Sequence, residues 1–235
     1  MLYLIGLGLN ERGISKEGLL AIEKCAKVYV EGYTVDFPYD FAELKIGKNF
    51  EVLDRSKVES SKLIQESKGR KIALLVYGCP LFATTHMSLL LDAEKQKVKT
   101  QVIYSASVFD AVAETGLQLY KFGKIASMPA WKNNYEPDSF MELVKANESI
   151  KAHTLILVDI GLSFKKALVQ LEMAARNKNV DLGKIIVCSK LGTEESKIFY
   201  GTIEYLREKN FDMPFCFIIP SELHFLEKEL LERFG

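Results

Sequence analysis

Val76-Tyr77-Gly78-Cys79-Pro80-Leu81-Phe82-Ala83-Thr84-Thr85-His86 is the stretch whose reading decides the fold of this chain. The apolar run leading into it, residues 72 to 77, reads as a buried parallel strand. Gly78 and Pro80 stop that strand, and Thr84 or Thr85 can cap a helix whose Leu89, Leu90 and Ala93 point at a core. Backbone groups exposed just past such a strand lie at its carboxyl end, where open α/β sheets take their ligands.

Outward from this stretch the chain alternates: strand 3–5, helix 15–25, strand 27–31, strand 50–53, strand 72–77, helix 85–97, strand 101–104 and helix 107–119. That rhythm predicts an α/β fold with a doubly wound parallel sheet. Residues 121–140 interrupt it with two prolines, two adjacent asparagines and the only tryptophan, and strands resume near 154–158, 185–189 and 214–219. A boundary at about 122 follows, with one α/β domain over 1–122 and a second over 123–235. The segment around Trp131 and Tyr135 reads as an exposed loop over a cleft or at a subunit contact. There is no internal repeat and no low-complexity tract.

With 48% hydrophobic and 26% charged residues among 235, the chain has enough apolar material for real cores. Its 31 basic and 31 acidic residues cancel, so no field of one sign would draw in nucleic acid or an anionic membrane. The apolar start MLYLIGLGL is short and lacks a basic leader, and no run reaches membrane-spanning length. A cytoplasmic location is expected.

Cys25, Cys79, Cys188 and Cys216 are far apart and not at metal-ligand spacing with histidines, so neither a metal site nor a disulfide framework is expected. His86, His153 and His224 lack nearby serine or cysteine partners, which argues against a nucleophilic triad. Gly6 and Gly8 supply half of a dinucleotide-binding fingerprint, and Glu31 could imitate its ribose-binding acid. Glu11 stands where the third glycine belongs, so the spacing fails. A tight turn from strand to loop is the other reading of the two glycines.

GCPLFATTH at 78–86 closely resembles the GDPLxATTH signature of the diphthine synthase family. The resemblance runs on through YLIGLGLNERGIS at 3–15, EGYT at 31–34, SASVFDAVAETGLQLYKFGK at 105–124, HTLILVDI at 153–160 and PSELHFLEKELL at 220–231. It departs at Cys79, where the family carries aspartate. The resemblance implies two α/β domains of the tetrapyrrole methylase-like fold, also called class III, with a cofactor cleft between them. It also implies S-adenosyl-L-methionine as methyl donor and S-adenosyl-L-homocysteine as product. The acceptor would be the amine of an aminocarboxypropyl-histidine on translation elongation factor 2, and the assembly a homodimer. A methyl on a sulfonium needs only a neutral, positioned nucleophile, so no catalytic residue is named.

Carried over residue by residue, the resemblance puts Leu9, Cys79, Phe82, Ser107, Val108, Val158, Leu191 and Phe215 at the cofactor, mostly through their main chain. For Val158, Leu191 and Phe215 a core role competes, and for Ser107 a helix N-cap. Thr84 and Thr85 are substrate-cleft residues or simply the start of a helix. Ser221 reads as the cap of a last helix whose apolar stripe is Leu223, Leu226 and Leu230, with His224 structural; Lys121 and Lys124 read as entry-lining or solvated lysines. The substitution at Cys79 opens an alternative, a degenerate relative that binds cofactor or elongation factor without turning over.

Overall fold

β1 (Leu2–Gly6) and β4 (Ile72–Val76) are buried along their whole length, as uninterrupted apolar strands covered on both faces must be. In this computed structural model, which describes residues 1–235, they pair in parallel at the centre of a sheet. The remaining elements of that unit are α1 (Lys16–Glu23), β2 (Lys27–Glu31), β3 (Glu51–Leu53), α2 (Arg55–Val58), α3 (Lys62–Gly69), α4 (Met87–Lys95) and β5 (Thr100–Ile103). The strand order is β3-β2-β4-β1-β5, all parallel. Alternate residues split two cores. Leu2, Leu4 and Leu74 pack with Leu63 and Ile64 of α3 and Leu89 of α4, while Tyr3, Ile5 and Leu75 pack with Ala21 and Ile22 of α1. Because β1 lies between β4 and β5, the loops following all three emerge side by side.

The chain divides into Met1–Phe109 and Asp110–Gly235, a division that falls within α5 (Val108–Ala111). This is earlier than the sequence break near 122, because residues 112–122 bond within the second unit. Phe122 bridges to His153, and the Gln118 N–H donates to Glu227. The helix expected over 107–119 ends early as well, breaking into 3-10 turns and stopping at Gly116 in the left-handed region.

In the second unit β6 (Ala126–Met128), α6 (Phe140–Ser149), β7 (Thr154–Val158), α7 (Phe164–Asn177), β8 (Lys184–Ser189), β9 (Lys197–Thr202), α8 (Ile203–Arg207), β10 (Phe215–Ile219) and α9 (Phe225–Leu231) follow in order. The sheet order is β6-β7-β10-β8-β9, with only β6 and β7 parallel. The sequence pattern missed β6 and β9: one is three residues long, and the other is buried at Gly201 alone. Trp131 is no exposed loop residue. It packs against the apolar core, and its indole N–H donates to the Pro137 carbonyl at 3.0 Å; Tyr135 is exposed.

Candidate functional site

The loops leaving β1 and β4 are tied directly to each other. Gly78 N–H donates to Gly8 O at 2.9 Å and Gly8 N–H to Gly78 O at 3.3 Å, both glycines having positive φ. A Cβ on Gly6 would stand 2.5 Å from Gly78 O and 2.9 Å from the Ser105 Cβ, so only glycine lets these backbones meet. Ser105 Oγ donates to Gly13 O at 2.8 Å, and Tyr77 Oη to Leu9 O at 3.1 Å. Three strand ends are thereby fastened into one edge.

Five of the residues proposed for the cofactor lie along that edge. Leu9 follows β1, Cys79 and Phe82 follow β4, and Ser107 and Val108 follow β5. Leu9 and Ser107 are buried; Cys79 is a half-buried free thiol. The Phe82 and Phe109 rings stack at 5.9 Å with a 21° tilt and present a planar apolar surface. In the second unit Val158 ends β7, Phe215 opens β10 and Leu191 follows β8, all at one end of that sheet, since Phe215 pairs with Ser189. The Phe215 side chain packs on Phe164 and Phe217 at 5.7 Å, so it belongs to the core. Leu191 sits between Lys190 and Gly192, both with positive φ.

The rest of the signature loop is braced by its own groups. Ala83 adopts φ of +52°, which costs a non-glycine residue roughly 1–2 kcal/mol. The Pro80 carbonyl accepts from Thr84 Oγ1 at 3.0 Å and faces His86 Nδ1 at 3.0 Å. Thr85 Oγ1 reaches Glu59 Oε1 at 3.3 Å. The sequence suggested Thr84 or Thr85 as the helix cap, but neither serves: α4 begins at Met87 after His86, without a side-chain cap. Leu89 and Ala93 are buried as expected and Leu90 only half-buried.

His86 Nε2 lies 3.1 Å from Glu31 Oε2; the two side chains are almost wholly buried, and neither atom has another partner. Glu31 Oε1 accepts from Thr34 Oγ1. Burial alone would lower the histidine pKa, yet Glu31, the Pro80 carbonyl and Glu59 together raise it. Sequence reasoning missed this pair: it considered Glu31 only within a dinucleotide fingerprint whose spacing fails, and put His86 at a helix start. The signal available was that EGYT and ATTH both lie in family-like segments.

A second pair stands in the other unit. His153 Nε2 is 3.3 Å from Glu227 Oε1, and His153 Nδ1 accepts the Ser221 N–H at 3.0 Å. Burial lowers the His153 pKa. Against its own burial, the Glu227 carboxyl is brought down to about 2 by Lys121, the Gln118 and His224 N–H groups and His153. Lys121 is therefore bound at 2.5 Å to Glu227, not solvated. The cap of α9 is His224, not Ser221, with Glu227 completing a capping box. The buried positions of α9 are Glu227 and Leu231, whereas Leu226 is exposed.

A parallel sheet with ligand-ready loops at its carboxyl edge, followed by a mixed sheet, defines the class. The family model of the tetrapyrrole (corrin/porphyrin) methylases matches residues 1–207. A diphthine synthase from Methanococcus maripaludis is 36% identical, the match covering 99% of this chain and 98% of that one. The diphthine methyl ester synthase of Schizosaccharomyces pombe is 32% identical over 100% and 94%. A diphthine synthase crystal structure superposes with a TM-score of 0.91 at 33% identity, covering 100% of this chain and 95% of that one. The chain belongs to the tetrapyrrole methylases and, within them, to the diphthine synthases: it is a methyltransferase of diphthamide biosynthesis. No helix is long and apolar enough to cross a membrane.

Proposed function

We propose that the chain transfers methyl groups from S-adenosylmethionine to the amine of an aminocarboxypropyl-histidine on translation elongation factor 2, releasing S-adenosylhomocysteine. The observation carrying this reading is the GCPLFATTH loop at the carboxyl edge of the first sheet, in a chain similar to diphthine synthases over its whole length. The donor set suits a neutral-backbone cradle: Gly6, Gly8 and Gly78 let main-chain groups crowd together, and Phe82 on Phe109 supplies a flat apolar face. When bound, the cofactor supplies an activated methyl on a sulfonium. Leu9, Cys79, Phe82, Ser107, Val108, Val158, Leu191 and Phe215 are assigned to holding it, and Thr84 and Thr85 to the substrate side. A homodimer acting in the cytoplasm completes the reading.

The fission-yeast relative's name, a methyl ester synthase, favours a second product, in which a carboxylate of the same side chain is also esterified. Both readings meet one experiment: radiolabelled methyl transfer to elongation factor 2 carrying the unmethylated intermediate, followed by mild alkali. Stable label marks the amine and labile label the ester. No label, with cofactor binding intact, overturns the proposed activity and leaves a degenerate binder. At saturating cofactor the rate should rise with pH until the amine's pKa is passed, because only the neutral amine attacks. Light scattering at micromolar concentration giving a mass near 26.6 kDa would exclude the homodimer.

A further inference from the structure

Of the buried ionisable groups in the first unit, His86 faces an unusual pair of neighbours. A carbonyl can only accept, so the 3.0 Å contact from Nδ1 to Pro80 O puts a proton on Nδ1. With Glu31 ionised, the 3.1 Å approach of Nε2 to Glu31 Oε2, an ion-pair contact without hydrogen-bond geometry between two atoms that have no other partner, is attractive only if Nε2 carries a proton as well. With one proton the ring would turn a lone pair on a buried carboxylate; with two it bridges β2 to the signature loop.

We propose that His86 is held as a buried imidazolium, and that its charge pair with Glu31 positions the 78–86 loop for the cofactor, making His86 a positioning residue rather than a catalytic one. This rests on the loop's assignment to the cofactor. The route is short: Pro80 adjoins Cys79, its carbonyl collects both His86 and Thr84, and Phe82 lies inside the segment so closed. Other groups around the pair do not replace the charge. Glu59, at the end of α2, is engaged by Thr85 and by Arg55 at 2.8 Å, and the Thr34 hydroxyl already serves Glu31. Tyr33 is kept neutral, its pKa raised by burial and by Glu31. As pH rises past the imidazolium's pKa, the brace is lost and cofactor binding weakens.

Three histidines make the test direct, since imidazole NMR signals are assignable by single substitutions. His86 should be protonated at pH 7, and a neutral ring there overturns the inference whatever the enzyme does. Calorimetry with S-adenosylhomocysteine from pH 6 to 9 should show the native dissociation constant rising about tenfold along the same titration, which corresponds to about 1.4 kcal/mol for the lost ion pair. His86→Gln should bind at pH 6 as weakly as the native chain does at pH 9, with a flat profile. Glu31→Gln/His86→Gln, a neutral amide pair, should recover part of the affinity without pH dependence. Native and His86→Gln profiles that coincide, both chains being folded by circular dichroism, overturn the positioning role. No binding by the native chain at any pH overturns the cofactor assignment instead, and the positioning role with it, leaving the NMR result to judge the imidazolium alone.

Discussion

Each unit buries one histidine against one glutamate, and the two pairs sit in opposite protonation states for a reason that lies in a single atom. His86 has a carbonyl on one nitrogen and the Glu31 carboxylate at ion-pair distance from the other, so a proton on each suits both neighbours. His153 has a backbone N–H in place of that carbonyl, so it accepts on one side and donates on the other, and the neutral ring satisfies both. The directions of the shifts agree, up for His86 and down for His153. The carboxylates differ in the same sense. Glu227 collects Lys121, two backbone N–H groups and His153, and so needs no imidazolium; Glu31 has the Thr34 hydroxyl and His86. One pair is an ordinary polar knot, the other a charge held in place by its partner.

The largest expected effect breaks the knot. Glu227→Ala leaves His153 Nε2 and two N–H groups without an acceptor and Lys121 with the Glu222 carbonyl alone, and should cost roughly 3–5 kcal/mol of unfolding free energy, read by urea denaturation. A loss under about 1 kcal/mol, the worth of an exposed ion pair, would mean the network contributes little.

Next comes the loop that the other pair braces. Cys79→Asp restores a carboxylate where the cofactor's cationic groups are assigned. A charge-assisted bond of about 1.5–3 kcal/mol predicts roughly tenfold to hundredfold tighter binding of S-adenosylmethionine by calorimetry. Unchanged affinity in Cys79→Asp would remove residue 79 from the cofactor's surroundings.

The smallest effect sharpens the comparison most. His86 has a raised folded pKa, so its contribution to stability is complete below about 6.5, the ordinary value, and fades as pH rises through the folded one. His153 has a lowered one, so its contribution is complete above about 6.5 and fades as pH falls toward the folded value. Unfolding free energy against pH should therefore be domed in this range. His86→Gln should flatten only the alkaline limb and His153→Gln only the acid one. Two variants that flatten the same limb would refute the assigned protonation states.

Strand identity in the first unit was legible in the sequence because parallel strands buried on both faces must be apolar throughout, as in Leu2–Gly6 and Ile72–Val76. The loop edge was legible too, since Gly78 and Pro80 leave a strand few ways to continue. The second unit was read less completely: β9 alternates weakly, β6 is short, and the Gly116 break looks like helix interior until its φ is known. The composition of GCPLFATTH and its likeness to a family carried the chemistry, as local sequence carries a turn and its neighbours. The protonation of two histidines was decided by the fold alone. The carbonyl of Pro80 is local to His86, but the partner that completes each ring lies far along the chain, Glu31 for His86 and Ser221 with Glu227 for His153. No local pattern encodes that meeting; only the packed structure brings the second partner to the ring.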